Sequence, residues 1–140
     1  NDPMYKGGSY QFVQKYIHDM TAWNSLPVSE QEKVIGRSKH DDIEMSEDEK
    51  PANSHSAIAN IGDDFKVIRD NMPFGTVGNN ELGTYFICYA STFSTVRKML
   101  MNMFTGVDGA NYDRLLDFST AVTGTLFFVP TVDMLGDFAG

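Results

Sequence analysis

The sequence predicts an α+β domain of the ferredoxin-like kind: an antiparallel sheet with helices on one face. Three observations carry this. Ser9–His18 and Gly83–Ala90 are rich in aromatic and β-branched residues and read as strands. In Phe93–Phe104, Val96, Met99, Leu100, Met103 and Phe104 recur at helical spacing and give a helix one apolar face. The elements follow one another as β-α-β-β-α-β, the split βαβ order.

In chain order, Ser9–His18 is the first strand, with Tyr10, Phe12, Tyr16 and His18 on one parity and Val13 and Ile17 on the other. Asp19 caps a short helix through Trp23 and Leu26. Pro27 ends it, and Ser29 with Glu32 makes a capping-box pattern for the next helix, which Gly36 closes. From about Ser38 to Ser54 the chain is polar and acidic and reads as a long loop, a length that is uncommon without a function. Phe65–Arg69 is a short strand. Met72-Pro-Phe-Gly75 and Gly78-Asn-Asn80 read as turn punctuation. Gly83–Ala90 is apolar almost throughout, the pattern of a central strand buried on both faces. After the helix Phe93–Phe104, Gly106–Gly109 is a loop, Asp113–Phe118 a short helical stretch, and Thr125–Val129 the last strand, closed by Pro130.

The chain has 140 residues, enough for one domain with its own core, with 41% hydrophobic and 21% charged residues. Eleven Lys and Arg against 19 Asp and Glu give a net charge of −8, which argues against nucleic acid as a partner. The one cysteine, Cys88, excludes an internal disulfide and sits in the apolar run Tyr85–Tyr89 as a small buried hydrophobe. No apolar run is long enough to span a bilayer and no signal peptide is visible, so the expected setting is the cytoplasm. The opening Asn1-Asp-Pro-Met-Tyr reads like a loop inside a longer protein.

The chemistry concentrates in a few side chains. His55 stands among small polar residues, Asn53, Ser54 and Ser56, about 14 residues ahead of an Arg-x-Asn triplet. A neutral imidazole held there can ligate a metal or haem iron through one nitrogen and donate its other N–H to a partner. The plain alternative is a surface histidine. Arg69 and Asn71 are two apart on an extended segment and so share a face; a guanidinium and an amide there can steady the negative charge that builds as a peroxide bond breaks. The alternative is an ion pair of Arg69 with Asp63, Asp64 or Asp70. Arg37, directly after Gly36, can reach a carboxylate such as a haem propionate. Asp113 and Asp117 are four apart, and either can orient the imidazole of His55, or serve only as a cap and a local ion-pair partner. Phe86, Leu126, Phe127 and Phe128 offer an apolar wall to a flat macrocycle, or ordinary packing.

Six ordered segments together give the chain its likeness: Gly7–Gln14, Val34–Arg37, Asn53–His55, Ile68–Gly75, Tyr112–Phe118 and Thr123–Pro130. Along nearly its whole length the chain resembles the dye-decolourising (DyP-type) haem peroxidases, most of all the bacterial members with short loops. The resemblance implies haem b as cofactor, His55 as the proximal iron ligand, Arg69 and Asn71 as the distal pair, and Arg37 near a propionate. Asp113 is preferred over Asp117 as the carboxylate behind His55, and Phe86 and Phe128 are expected against the macrocycle. It implies hydrogen peroxide as oxidant and organic donors such as dyes and phenolics, oxidised one electron at a time. Bulky donors would react at surface aromatics, with Trp23, Tyr85, Tyr89 and Tyr112 as candidates. The other reading is a ferredoxin-like module that handles haem or a small ligand without turnover.

Relatives carry two such domains, with a distal aspartate in a Gly-x-x-Asp-Gly motif of the N-terminal one. That motif is absent here, so residues 1–140 are expected to be the C-terminal, haem-holding half. Many relatives have Asp where Asn53 stands, and the His55–Arg69 interval is short for the family. Expected partners are a second copy in a homo-oligomer and an N-terminal chain or an encapsulin shell.

Overall fold

Strand β1 (Ser9–His18) is the axis of the sheet, because it pairs with three other strands, one along one edge and two along the other. In the computed structural model, which describes residues 5–62, 64–75, 78 and 81–138, it is antiparallel to β3 (Leu82–Ala90) on one side. On the other side it meets β4 (Ser119–Ala121) and β5 (Thr125–Val129) in tandem. Strand β2 (Val67–Gly75) pairs with β3 at the far edge. The five-stranded sheet thus runs β2-β3-β1, then β4 with β5, every pair antiparallel. This is the expected ferredoxin-like order with its last strand in two pieces. The break between them is stitched to β1: Val122 N–H donates to the Lys15 carbonyl at 2.9 Å, and Lys15 N–H donates to Thr123 Oγ1 at 3.0 Å. A three-residue strand followed by Val-Thr-Gly leaves too short a pattern to read in sequence.

The helices are α1 (Met20–Ser25), α2 (Val28–Ile35), α3 (His55–Ile58), α4 (Phe93–Thr105) and α5 (Val132–Phe138), with a 3-10 turn at Arg114–Asp117. Asp19 caps α1 as expected, its carboxylate accepting from Ala22 N–H at 2.9 Å. The capping box does not form. Pro27 is the N-cap of α2, Ser29 lies inside the helix, and Glu32 accepts from Lys39 N–H instead. Proline's fixed φ suits a helix entrance, so the helix begins earlier than the box would allow. Gly36 closes α2 at φ 83.

Three further expectations are corrected. His55 opens a helical turn rather than standing in a loop. Strand β2 continues through Met72-Pro-Phe-Gly75, which is no turn; Pro73 is tolerated because β2 is an edge strand. Asn79 and Asn80 lie outside the described residues. Strand β3 is not buried on both faces: Cys88 and Ala90 are covered, whereas Tyr85 and Tyr89 are exposed on the opposite parity.

The covered face is set by register. Phe12, Gln14 and Tyr16 of β1 lie opposite Cys88, Phe86 and Thr84 of β3, which in turn lie opposite Arg69, Asn71 and Pro73 of β2. Helix α4 lies on this face, as its apolar spacing requires. Val96 packs with Phe12, Cys88 and Ala90. Met99 and Met103 pack with Ile58 of α3, and Phe86 touches both groups. Arg69 and Asn71 therefore look toward the helices, and α3 is held over the same face.

Candidate haem cleft

His55 and Asp113 are 58 residues apart in the chain and meet at 2.6 Å, Nδ1 to Oδ2. Asp113 is completely buried. Its backbone N–H donates to the Met103 carbonyl at the end of α4, and its Oδ1 accepts from Leu115 N–H at 2.9 Å as the cap of the 3-10 turn. The neighbouring backbone closes the arrangement: Arg114 N–H donates to the Asn53 carbonyl at 2.9 Å, tying the residue after Asp113 to the segment before His55. A buried carboxylate fixed at both oxygens makes Nδ1 the proton-bearing nitrogen and leaves Nε2 as the free lone pair. Asp117 is not the partner, since it accepts from the Tyr112 hydroxyl at 2.8 Å. That bond, first, and the carboxylate's charge, second, raise the pKa of Tyr112. Burial, and then the negative charge of Asp113, push the Tyr16 hydroxyl well above the ordinary range, and it donates to Gln14.

Helix α3 sits tightly on the end of α2. At Gly36 a Cβ would lie 2.1 Å from Ser56 Oγ and 2.8 Å from Ser54 Oγ, and the backbone has positive φ, so both space and conformation demand glycine. Ser54 Oγ is buried with no hydrogen-bond partner among the described residues. In the sequence Gly36 is legible as a helix stop; its contact with the His55 turn has no local signature.

His55, Arg37 and Arg69 share one cleft of about 400 Å³, with Ile35, Ala59, Ile61, Phe65, Val67 and Met99 supplying apolar wall. Arg69 lies on β2 and donates to the Ala59 carbonyl at the end of α3 at 3.3 Å, with Met99 Sδ at 3.5 Å. It makes no ion pair with Asp64 or Asp70; Asp63 lies outside the described residues. Asn71 is on the same face, opposite Phe86, beyond the residues that line the cleft. Phe86 is in the core beneath rather than in the cleft wall. Phe128 is elsewhere, stacked edge-on to Tyr5 and Tyr10 at the Ser9 end of the sheet in a different hollow.

Arg37 is gripped by the acidic loop that follows it. Nε donates to Asp42 Oδ1 at 2.7 Å, Nη2 to the Asp42 carbonyl, and Nη1 reaches Glu44 Oε2 at 3.4 Å. Glu44 also accepts from Lys50 at 2.8 Å, and that bond, then the lysine's charge, lowers its pKa. The loop is thus built rather than merely solvated. Glu44 bridges the two cations, Met45 N–H donates to the Gly36 carbonyl at 3.0 Å, and Lys50 is covered.

Residues 1–134 match the family model described as Dyp-type peroxidase, C-terminal. The chain belongs to the DyP-type peroxidase family. It is 59% identical over 140 residues to a dye-decolorizing peroxidase of Rhodococcus erythropolis, an alignment covering 97% of this chain and 41% of the relative. A variant of DypB from Rhodococcus jostii RHA1, solved in complex with heme, superposes at TM-score 0.89 with 54% identity over 96% of this chain and 45% of that one. The encapsulated DyP-type peroxidase of Mycobacterium smegmatis, solved by cryo-EM, superposes at TM-score 0.91 with 58% identity over 97% of this chain and 45% of that one. The chain therefore spans less than half the length of these relatives. No helix among the described residues is long and apolar enough to cross a membrane.

Proposed function

We propose that residues 1–140 form the C-terminal, haem-binding domain of a peroxidase that uses hydrogen peroxide to oxidise dyes or phenolics. The supporting observation is the buried Asp113 carboxylate on His55 Nδ1, with Nε2 left for a metal on the cleft side. The donor set fits a haem. One imidazole is backed by a carboxylate, a half-apolar cleft lies beside it, and guanidiniums stand on two sides. Haem b, held by His55 with Arg37 near a propionate, would supply an iron centre able to pass electrons singly.

The residues of this chain then divide the work. Asp113 holds the His55 imidazole in one tautomer and raises its donor strength. Arg69 presents a permanent positive charge where negative charge grows as the peroxide O–O bond opens, and Asn71 adds an amide donor on the same face. Neither can carry a proton between the two oxygens, because the guanidinium stays charged and the amide does not titrate. That task falls to a carboxylate of the kind relatives carry in their N-terminal domain. In balance, one peroxide takes two electrons, one from each of two donor molecules, and two protons, leaving two waters. Bulky donors react at surface aromatics rather than inside the cleft; of the candidates, Tyr85, Tyr89 and Tyr112 are exposed, and the Tyr112 hydroxyl donates to Asp117. A homo-oligomer in the cytoplasm, packaged in an encapsulin shell, belongs to the same proposal; the encapsulated state of the mycobacterial relative supports the packaging.

The test uses the full-length protein reconstituted with haem. Wild type should show a Soret band of histidine-ligated haem and peroxide-driven dye oxidation, and His55→Ala should lose both. A Soret band unchanged in His55→Ala would refute the axial assignment. A normal band without dye turnover would leave only haem handling.

A further inference from the structure

Asp42 is the only non-glycine among the described residues with positive φ, at 53°. For an L-residue this left-handed conformation is uncommon, and it persists where surrounding contacts require it. Here the contacts are visible. The twist aims both the carbonyl and the carboxylate of Asp42 at one guanidinium, that of Arg37, on the rim of the cleft.

The geometry on the guanidinium is specific. Nε and Nη2 form the side edge of the fork, and Asp42 takes both. The end edge, Nη1 with the second hydrogen of Nη2, keeps only the 3.4 Å contact to Glu44. An arginine can bind one carboxylate on each edge. We infer that Asp42 is a positioning residue: it pins Arg37 by its side edge so that the end edge is preset for a carboxylate of the cofactor in the cleft. This rests on the haem reading above. It adds to that reading a residue whose own side chain is largely solvated and does not line the cleft.

The bond to the carboxylate is exposed, 84% on the Asp42 side, so its worth as a surface ion pair is small. Its value lies in holding still a side chain with many rotamers, which would otherwise be ordered only on binding. Loss of that ordering should speed haem release by about threefold to tenfold. The backbone contact matters as well as the charge, which ranks the variants. Asp42→Val cannot hold the left-handed backbone and loses both contacts, so it releases haem fastest. Asp42→Gly keeps the backbone and its carbonyl and loses the carboxylate, giving a middle rate. Asp42→Asn keeps both tolerance of this backbone and an oxygen acceptor and stays near wild type.

The experiment measures transfer of haem from the full-length holoprotein to an excess of an apoglobin acceptor, followed by absorbance. It is repeated with haem whose two propionates are methyl esters. Expected is the order Val, then Gly, then Asn with free-acid haem, and no difference among the variants with the diester. Faster release of both haems alike would mean a general structural effect and would overturn the inference, as would identical rates for all variants with free-acid haem. If Arg37→Ala abolishes the effect of Asp42→Gly, the path through Arg37 is supported; an undiminished effect contradicts it. Failure of the parent reading looks different: wild type would then hold neither haem through His55.

Discussion

The two sides of the cleft are built by different rules. On the His55 side the backing carboxylate and the backbone around it are tied down. Asp113 is buried and bonded at both carboxylate oxygens, the chain before His55 is bonded to the chain after Asp113, and Gly36 admits nothing between α2 and α3. On the Arg69 side, the two polar residues stand on an edge strand, both exposed in this chain, and Arg69 is held by a single long bond to Ala59 and a sulfur contact. The first side suits a ligand whose orientation must not change. The second suits groups that need only meet a reacting molecule and that can be completed by other surfaces.

That difference can be broken by mutation. The largest effect is expected from Arg69→Leu: the rate of reaction of the ferric full-length enzyme with peroxide, followed by stopped-flow absorbance, should fall about 10²–10³-fold. Haem affinity and the Soret band should stay put, and a parallel loss of affinity would erase the division between the two sides. Next comes Asp113→Asn, which keeps the shape and one acceptor but not the charge. Haem affinity should fall about 10–100-fold, read by titration, with the peroxide step following it rather than leading. Gly36→Ala should cost about 1–2 kcal/mol in denaturant unfolding, from the forced positive φ and the clash with Ser56, and an unaffected midpoint would show that α3 is not clamped there.

The smallest effect concerns pH. His18 bridges Ser119 and Thr84 through its two ring nitrogens, at 2.8 and 3.2 Å, and burial lowers its pKa from the ordinary 6.5. The unfolded chain then binds a proton at higher pH than the folded one, so stability is full above 6.5 and declines as pH falls toward the folded value. His18→Gln should flatten that slope in unfolding curves taken at successive pH values. An unchanged slope would remove His18 as its source.

Much of this was legible in the chain. Strand β1, the cap at Asp19, the stop at Gly36, helix α4 and strand β5 follow from local pattern, and each is where periodicity puts it. Apart from the capping box, which Pro27 pre-empts locally, the strands that were misread were decided by pairing at a distance. Met72-Pro-Phe-Gly75 has turn composition but is drawn out by β3, and β4 exists only because β1 offers it an edge. The site divides the same way. His55, Arg37 and Arg69 could be picked by residue type, and the cleft brings them together. Residue type and spacing do not separate Asp113 from Asp117, for which only the family resemblance gives a preference; what separates them is burial against α4 and a 58-residue return to His55. Phe128 had the right chemistry, but its β5 register sends it to Tyr5 and Tyr10, and the role of Asp42 depends on a backbone twist that no composition announces.

The central claim is that Asp113 strengthens the bond a metal makes to His55. Resonance Raman spectroscopy of the ferrous full-length protein reads that bond directly through the iron–histidine stretch. The stretch should lie at a clearly lower wavenumber in Asp113→Asn than in wild type, while Asp117→Asn leaves it unmoved. A stretch unaffected by the Asp113 change, or shifted as much by the Asp117 change, would contradict the account.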